Sequence, residues 1–200
     1  MHHRGALYFA VALVASFIAM PAGAQPMTIG NAKVVVKTVT GTADGTLRTL
    51  ELQDDVYHNE KITTKEESAT QLVFLDETSV TMGPKSELVL DRFVFDPDPS
   101  KSTFVMTATA GAFRFASGKL PGKAYKIHTP AATLGVRGTK FDVVIARFDA
   151  AAGAPIIALD VSVTDGEVLL DACSGEQLRL TPSAPKARII HDPRQGCVRP

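Results

Sequence analysis

Beyond residue 24 no stretch of this chain carries an apolar repeat at the helical period. Instead, short apolar or β-branched runs recur at roughly 8–12-residue spacing, separated by turn residues, which indicates an all-β sandwich, barrel or solenoid. Lys33 to Val39 reads as a strand, and Asp44-Gly45 as a hairpin turn returning through Leu47 to Leu52. From Gln71 the pattern sharpens: Gln71 to Leu75, Thr78 to Met82, a Gly83-Pro84-Lys85-Ser86 turn, then Glu87 to Phe95 with a phase shift at Asp91-Arg92 that predicts a bend. Asp96 to Ser102 holds two prolines and is expected to be a stiff, exposed loop with solvated aspartates of ordinary pKa. Thr103 to Ala108 and Gly111 to Phe115 read as two strands, and Ile156 to Val163 with Glu167 to Asp171 as a hairpin closed at Asp165-Gly166. Residues 171–200, with Pro182, Pro185 and Pro193, are expected to be an irregular tail.

The least generic sequence runs from Tyr125 to Val143. An alternating strand (Tyr125, Ile127) stops at Thr129-Pro130, where proline removes a ladder donor. Gly135 and Gly138 then bracket Val136-Arg137 before Phe141 to Ile145 resumes an apolar strand. Glycines so placed predict a bulge, a tight corner or the close approach of another backbone. Two roles stand open for Arg137. It can fork to a carboxylate or a glycan in a groove, or cross the corner to hydrogen-bond backbone carbonyls. Lys119, Lys126 and Lys140 read as a solvated face.

The N-terminus reads as an export signal, residues 1–24. His2, His3 and Arg4 precede the apolar run Ala6 to Met20, and Pro21 to Ala24 ends in an Ala-x-Ala cleavage pattern. Gly5 to Ala24 is also long enough to span a bilayer if tilted, but the small-residue site favours cleavage. No second apolar run of spanning length follows, so a periplasmic or secreted protein is expected, with no integral membrane segment after cleavage. Cys173 and Cys197 fit that compartment as a structural disulfide; a metal pair or redox couple would want nearby histidine or Cys-x-x-Cys spacing. The remaining chain is long enough to bury a core without a metal or oligomer.

Charge and motifs exclude several functions. The net charge is zero, with no basic stripe for nucleic acid or a membrane surface. His58, His128 and His191 show no metal-ligand spacing. Ser117-Gly118-Lys119 lacks the glycine spacing, the following hydroxyl and the helix of a phosphate loop. Adjacent acids such as Asp54-Asp55 face opposite sides of a strand, and no serine sits in a nucleophile elbow. No enzyme activity, metal or cofactor is expected.

Two segments carry a family resemblance. Thr129-Pro130-Ala131-Ala132-Thr133-Leu134-Gly135-Val136-Arg137-Gly138-Thr139-Lys140-Phe141 resembles the "TPxAxxGVRGTxF" signature of FecR-type domains, with Lys140 where an acidic or small polar residue is usual. The block from Leu72 to Asp91 is similar to the family's strand, turn and "Gly-Pro-x-Ser-x-Leu" pattern, although Asp76-Glu77-Thr78 lacks the usual glycine. The resemblance, from about Leu50 to Leu170 within a domain of residues 25–170, implies a single β-solenoid-like roll or sandwich and an envelope module for sensing or regulation. It nominates Thr129, Pro130, Gly135, Arg137, Gly138 and Thr139 as a binding site or structural corner. The implied partner is another envelope protein, with an exposed sheet edge as one route of contact and a carbohydrate or peptidoglycan as the alternative.

Overall fold

The computed structural model describes residues 27–149 and 153–200; the leader expected over residues 1–24 lies outside them. The described residues form one open 15-stranded sheet. Its strands are β1 (Thr28–Val36), β2 (Val39–Ala43), β3 (Thr46–Thr49), β4 (Asp55–Tyr57), β5 (Lys61–Thr64), β6 (Ala69–Phe74), β7 (Ser79–Met82) and β8 (Glu87–Val94). After a 3-10 turn at Pro99–Lys101 come β9 (Thr103–Ala116), a second 3-10 turn at Gly122–Ala124, β10 (Tyr125–His128), β11 (Ala132–Phe148), β12 (Ile156–Ala172), β13 (Gln177–Leu180), β14 (Lys186–Asp192) and β15 (Gly196–Val198).

Three long strands fold this sheet over on itself. The first half of β9 pairs with β8 and, in parallel, with β10, while its second half pairs with β7 and β11. β11 and β12 behave alike: their ladder is interrupted between Arg137 and Phe141, and β12 then passes from β14 on one side of the bend to β13 on the other. The bends fall at Gly111 (φ 103°), Gly138 (φ 54°) and Gly166 (φ 74°).

At each bend the buried positions change parity, because an extra residue in a strand turns every later side chain to the other face. In β9 the core residues are Phe104, Met106 and Ala108, then Phe113 and Phe115; in β11, Leu134 and Val136, then Phe141, Val143 and Ile145. The inner faces so created meet in a cluster of rings. Phe104 packs edge-on against Phe74 at 4.9 Å and lies 5.7 Å from both Phe93 and Tyr125, and Phe115 joins Phe141 at 5.2 Å. Such pairs contribute about 0.5–1.5 kcal/mol each beyond their area burial.

Where the chain turns between the two layers, ladder bonding lapses and buried hydroxyls replace it. The Thr64 hydroxyl donates to the Gly83 carbonyl at 2.6 Å and accepts from the Ser86 amide at 2.9 Å. Ser68 accepts from the Thr38 amide, and Thr70 donates to the Val34 carbonyl. These buried threonines and serines are therefore satisfied corner pieces rather than candidates for chemistry.

The expected all-β fold and the Asp44-Gly45 hairpin are present, the latter with both residues at positive φ (48° and 75°). Three local expectations change. Thr103 to Ala116 is one bent strand rather than two, and Asp165-Gly166 is a bend within β12 rather than a hairpin turn, because its neighbour β11 bends alongside it and keeps the pairing continuous. The tail of residues 171–200 is not irregular: β13, β14 and β15 extend the same sheet, burying Leu180, Ala187 and Ile189, while Pro182, Pro185 and Pro193 sit between strands. The Cys173–Cys197 disulfide, with Cα atoms 5.6 Å apart, ties the last strand to the β12–β13 turn. Closing a loop of that size stabilises by about 3 kcal/mol in the chain-entropy account.

Candidate functional site

The nominated residues separate into two places. Thr129 and Pro130 form the turn between β10 and β11, where the Thr129 hydroxyl accepts from the Ala132 amide at 3.0 Å and donates to its carbonyl at 2.8 Å. The Ala131 carbonyl of this turn accepts from the Cys173 amide at 3.0 Å. Gly135 lies mid-strand, and a Cβ there would meet Leu169 only at 3.8 Å, so no close approach demands it.

Arg137, Gly138 and Thr139 lie at the bend, with Arg137 roughly 17 Å along β11 from its first residue, Ala132, at about 3.3 Å per residue. Thr139 is buried and holds the corner. Its hydroxyl accepts from the Glu167 amide at 3.0 Å and lies 2.7 and 2.8 Å from the Arg137 and Glu167 carbonyls. Its amide donates to the Ser117 hydroxyl at 2.9 Å. The stapling that Arg137 was one candidate to perform is thus performed by Thr139. Among the described residues the Arg137 side chain has no hydrogen-bond or ion-pair partner, and it is exposed.

Arg137 instead lines an open groove of about 770 Å³. One wall is Pro99, Ser100 and Ser102, the other is Pro121 to Ala124, and Arg137 with Gly138 completes the lining. The first wall is set by local side-chain caps. Asp98 accepts from the Ser100 amide at 3.0 Å and its hydroxyl at 2.8 Å, which holds the Asp98 carboxyl below its usual range. The ordinary titration expected for this loop therefore does not hold at Asp98.

The second wall hangs on a buried network that sequence reading missed. Asp76, fully buried, accepts from the Tyr125 phenol at 2.8 Å and the Thr78 hydroxyl at 2.6 Å. The Tyr125 oxygen accepts from the Leu120 amide at 3.1 Å, and the Asp76 carbonyl from the Lys119 amide at 2.7 Å. Gly118 is required by this contact, since a Cβ there would lie 2.1 Å from the Asp76 carbonyl oxygen. The glycine of Ser117-Gly118-Lys119 thus serves close backbone approach and not phosphate binding. The only sequence signal for the network was Asp76 at a turn otherwise short of its glycine; Glu77 takes the positive φ (70°) there.

Burial, reinforced by the Asp76 carboxylate, pushes the Tyr125 phenol up to about 12. A raised native pKa means that the fold retains this proton when the unfolded chain has lost it. Its stabilisation is complete below about pH 10 and is lost as pH rises through about 12, by up to about 3 kcal/mol. Urea unfolding midpoints should therefore fall between pH 10 and 12, and fall less in Tyr125→Phe; equal alkaline slopes in the two proteins would contradict this.

No histidine, cysteine or carboxylate lines the groove. Among the described residues no group of three or more His, Cys, Asp or Glu is placed to hold a metal ion, and no helix is long and apolar enough to cross a membrane. His128 bonds the Thr133 hydroxyl at 3.1 Å.

The model of the FecR protein family matches residues 60–169, more than half of the chain. The chain belongs to the FecR family. The matched region of this FecR domain includes the stapled bend, the Asp76 network and both walls of the groove. Two crystal structures of a candidate anti-sigma factor from Parabacteroides distasonis ATCC 8503, at 1.65 and 2.50 Å resolution, share its fold with TM-scores of 0.50 and 0.51 at 19 % sequence identity. Each match covers 70 % of this chain and 58 % of the other, so the FecR domain here spans less than two thirds of those neighbours. No curated protein matches the chain.

Proposed function

We propose that this FecR domain is an exported, non-catalytic binding module that engages another protein of the cell envelope in signal sensing or regulation. The observation that carries the reading is the exposed Arg137, without a partner among the described residues, lining a groove with two proline-stiffened walls. The disulfide supports an oxidising compartment. The candidate anti-sigma factors that share the fold support a regulatory setting. A non-catalytic role is supported by the groove's chemistry: the Ser102 hydroxyl donates to the Asp96 carbonyl, and the Ser100 hydroxyl donates to the Asp98 carboxylate, whose lowered pKa makes it a weak base.

Sheet-edge pairing is a weaker route to the partner, because the terminal strands β4 and β15 are only three residues long. A cell-wall glycan is the competing occupant, but no aromatic ring lines the groove against which a sugar face could stack.

A photocrosslinking residue at Lys123 should capture a discrete envelope protein in cells, with capture reduced about tenfold or more by Arg137→Ala. Capture of glycan alone would establish the competing reading. Capture of a protein from a control position at Gln195, but not from Lys123, would place the interface elsewhere.

A further inference from the structure

Arg137 sits directly opposite Glu167 in the β11–β12 ladder, a placement that ordinarily yields a cross-strand ion pair. No such pair forms. Glu167 turns instead to Arg179 on β13, whose Nη1 donates to Oε2 at 2.7 Å, and the other carboxylate oxygen is buried without a hydrogen-bond partner. The acid that would neutralise Arg137 is thereby held away from it.

Elsewhere some surface arginines are committed to acids, whereas exposed Arg92 and Arg147, like Arg137, have no hydrogen-bond or ion-pair partner among the described residues; of these three, Arg137 is the one that lines the groove. Arg114 forks onto Asp142 at 2.8 and 3.2 Å, and Arg188 onto Asp160 at 2.6 and 2.8 Å. In the groove the second cation, Lys123, likewise has no partner among the described residues, and no acid lines the walls. The Arg137 stem is also clamped. Gly122 packs so closely that a Cβ would lie 3.0 Å from Arg137 Cγ and 3.2 Å from its Cα, which restricts the base of the side chain.

We infer that this groove takes carboxylate side chains from an extended acidic segment of a partner protein, with Arg137 as the forked anchor and Arg179 as a positioning residue that keeps Arg137 available by holding Glu167. The inference rests on the proposed protein-binding role of the same groove. Charge complementarity selects the acid, since both groove cations are uncompensated. Proline walls without aromatic rings suit an extended peptide backbone better than a sugar ring. The volume of about 770 Å³ accommodates several residues.

The test is fluorescence polarisation of labelled hexaglutamate and hexaglutamine peptides titrated with the full chain in its oxidised form at about 150 mM salt. Hexaglutamate should bind about tenfold or more tightly than hexaglutamine. Arg137→Ala should abolish that difference and Arg137→Lys most of it, because an ammonium cannot fork. Arg114→Ala should leave it within about twofold, reporting an intact fold.

Arg179→Ala should weaken binding severalfold by releasing Glu167 to Arg137, and Arg179→Ala combined with Glu167→Gln should restore it; a merely structural role for Arg179 would show no rescue. Equal binding of the two peptides, or insensitivity to Arg137→Ala, would overturn the inference. Preferential binding of N-acetylmuramic acid or inorganic phosphate at Arg137, with no hexaglutamate binding, would overturn the protein source. If protein capture at Lys123 in cells persists while hexaglutamate fails, the groove keeps its partner and only the acidic class falls; loss of capture itself would remove the reading beneath.

Discussion

Gly111→Ala is expected to destabilise the protein by about 4 kcal/mol or more. Two costs add. The backbone there sits at φ 103°, outside the conformations an L side chain readily adopts, which costs about 1–3 kcal/mol. The new Cβ would also lie 2.4 Å from the Ser86 Cα and 2.1 Å from its hydroxyl oxygen, and a backbone atom cannot swing aside. Relief requires moving the start of β8 off the bend of β9, which would break the Ser86 contacts to the Ala112 amide and carbonyl (3.1 and 3.3 Å). Gly138→Ala is the matched control. Its φ is 54° and nothing lies within 4 Å of the added Cβ, so only about 1 kcal/mol should be lost. Urea unfolding of the two variants measures the difference directly; similar losses would mean that conformational strain alone, and not the β8–β9 approach, fixes the first bend.

Arg48→Met should cost about 3–5 kcal/mol. Glu60 is completely buried, and its carboxylate accepts from Arg48 Nε at 2.8 Å, Arg48 Nη2 at 3.1 Å and the Tyr57 amide at 2.9 Å. Removing the guanidinium leaves a buried charge with one amide for company, which is far more costly than losing an exposed pair. Arg48 also lies 5.0 Å above the Tyr57 ring and donates to the Asp55 carbonyl, so it joins β3 to β4 and to the segment before β5. The carboxylate fits only because position 41 is glycine: a Cβ there would stand 2.0 Å from Glu60 Oε1. Glu60→Gln combined with Arg48→Met should recover about half of the loss, since the amide removes the charge but not the buried polar group. An Arg48→Met loss below about 1 kcal/mol in chemical denaturation would refute a buried-charge account.

Much of the site was legible in part. The run from Tyr125 to Val143 announces a corner, and Gly138 is where the ladder breaks. What holds the corner was not legible, because Arg137 and Thr139 both offer hydrogen-bond donors, and only the position of Glu167 across the bend favours the hydroxyl. The groove was invisible for a simpler reason. Its walls come from loops around residues 99 and 122, and it exists only because β9 and β10 run parallel and bring those loops beside the bend of β11.

By itself, the sequence determined the strand content, the Asp44-Gly45 hairpin and the phase shift within Glu87 to Phe95, because alternation and positive-φ residues act over a few neighbours. It also marked Cys173 and Cys197 as partners, since the sequence holds two cysteines and offers no other pairing. Only the tertiary structure decided whether a glycine inside an apolar run reverses the strand or bends it. At Asp44-Gly45 the two arms pair with each other, whereas at Gly111, Gly138 and Gly166 each arm finds a neighbour that bends with it or passes beside it. The same long-range pairing turned the proline-rich tail into three further strands. It also left Arg137 unneutralised, because Glu167, its partner across the ladder, found Arg179 first in space.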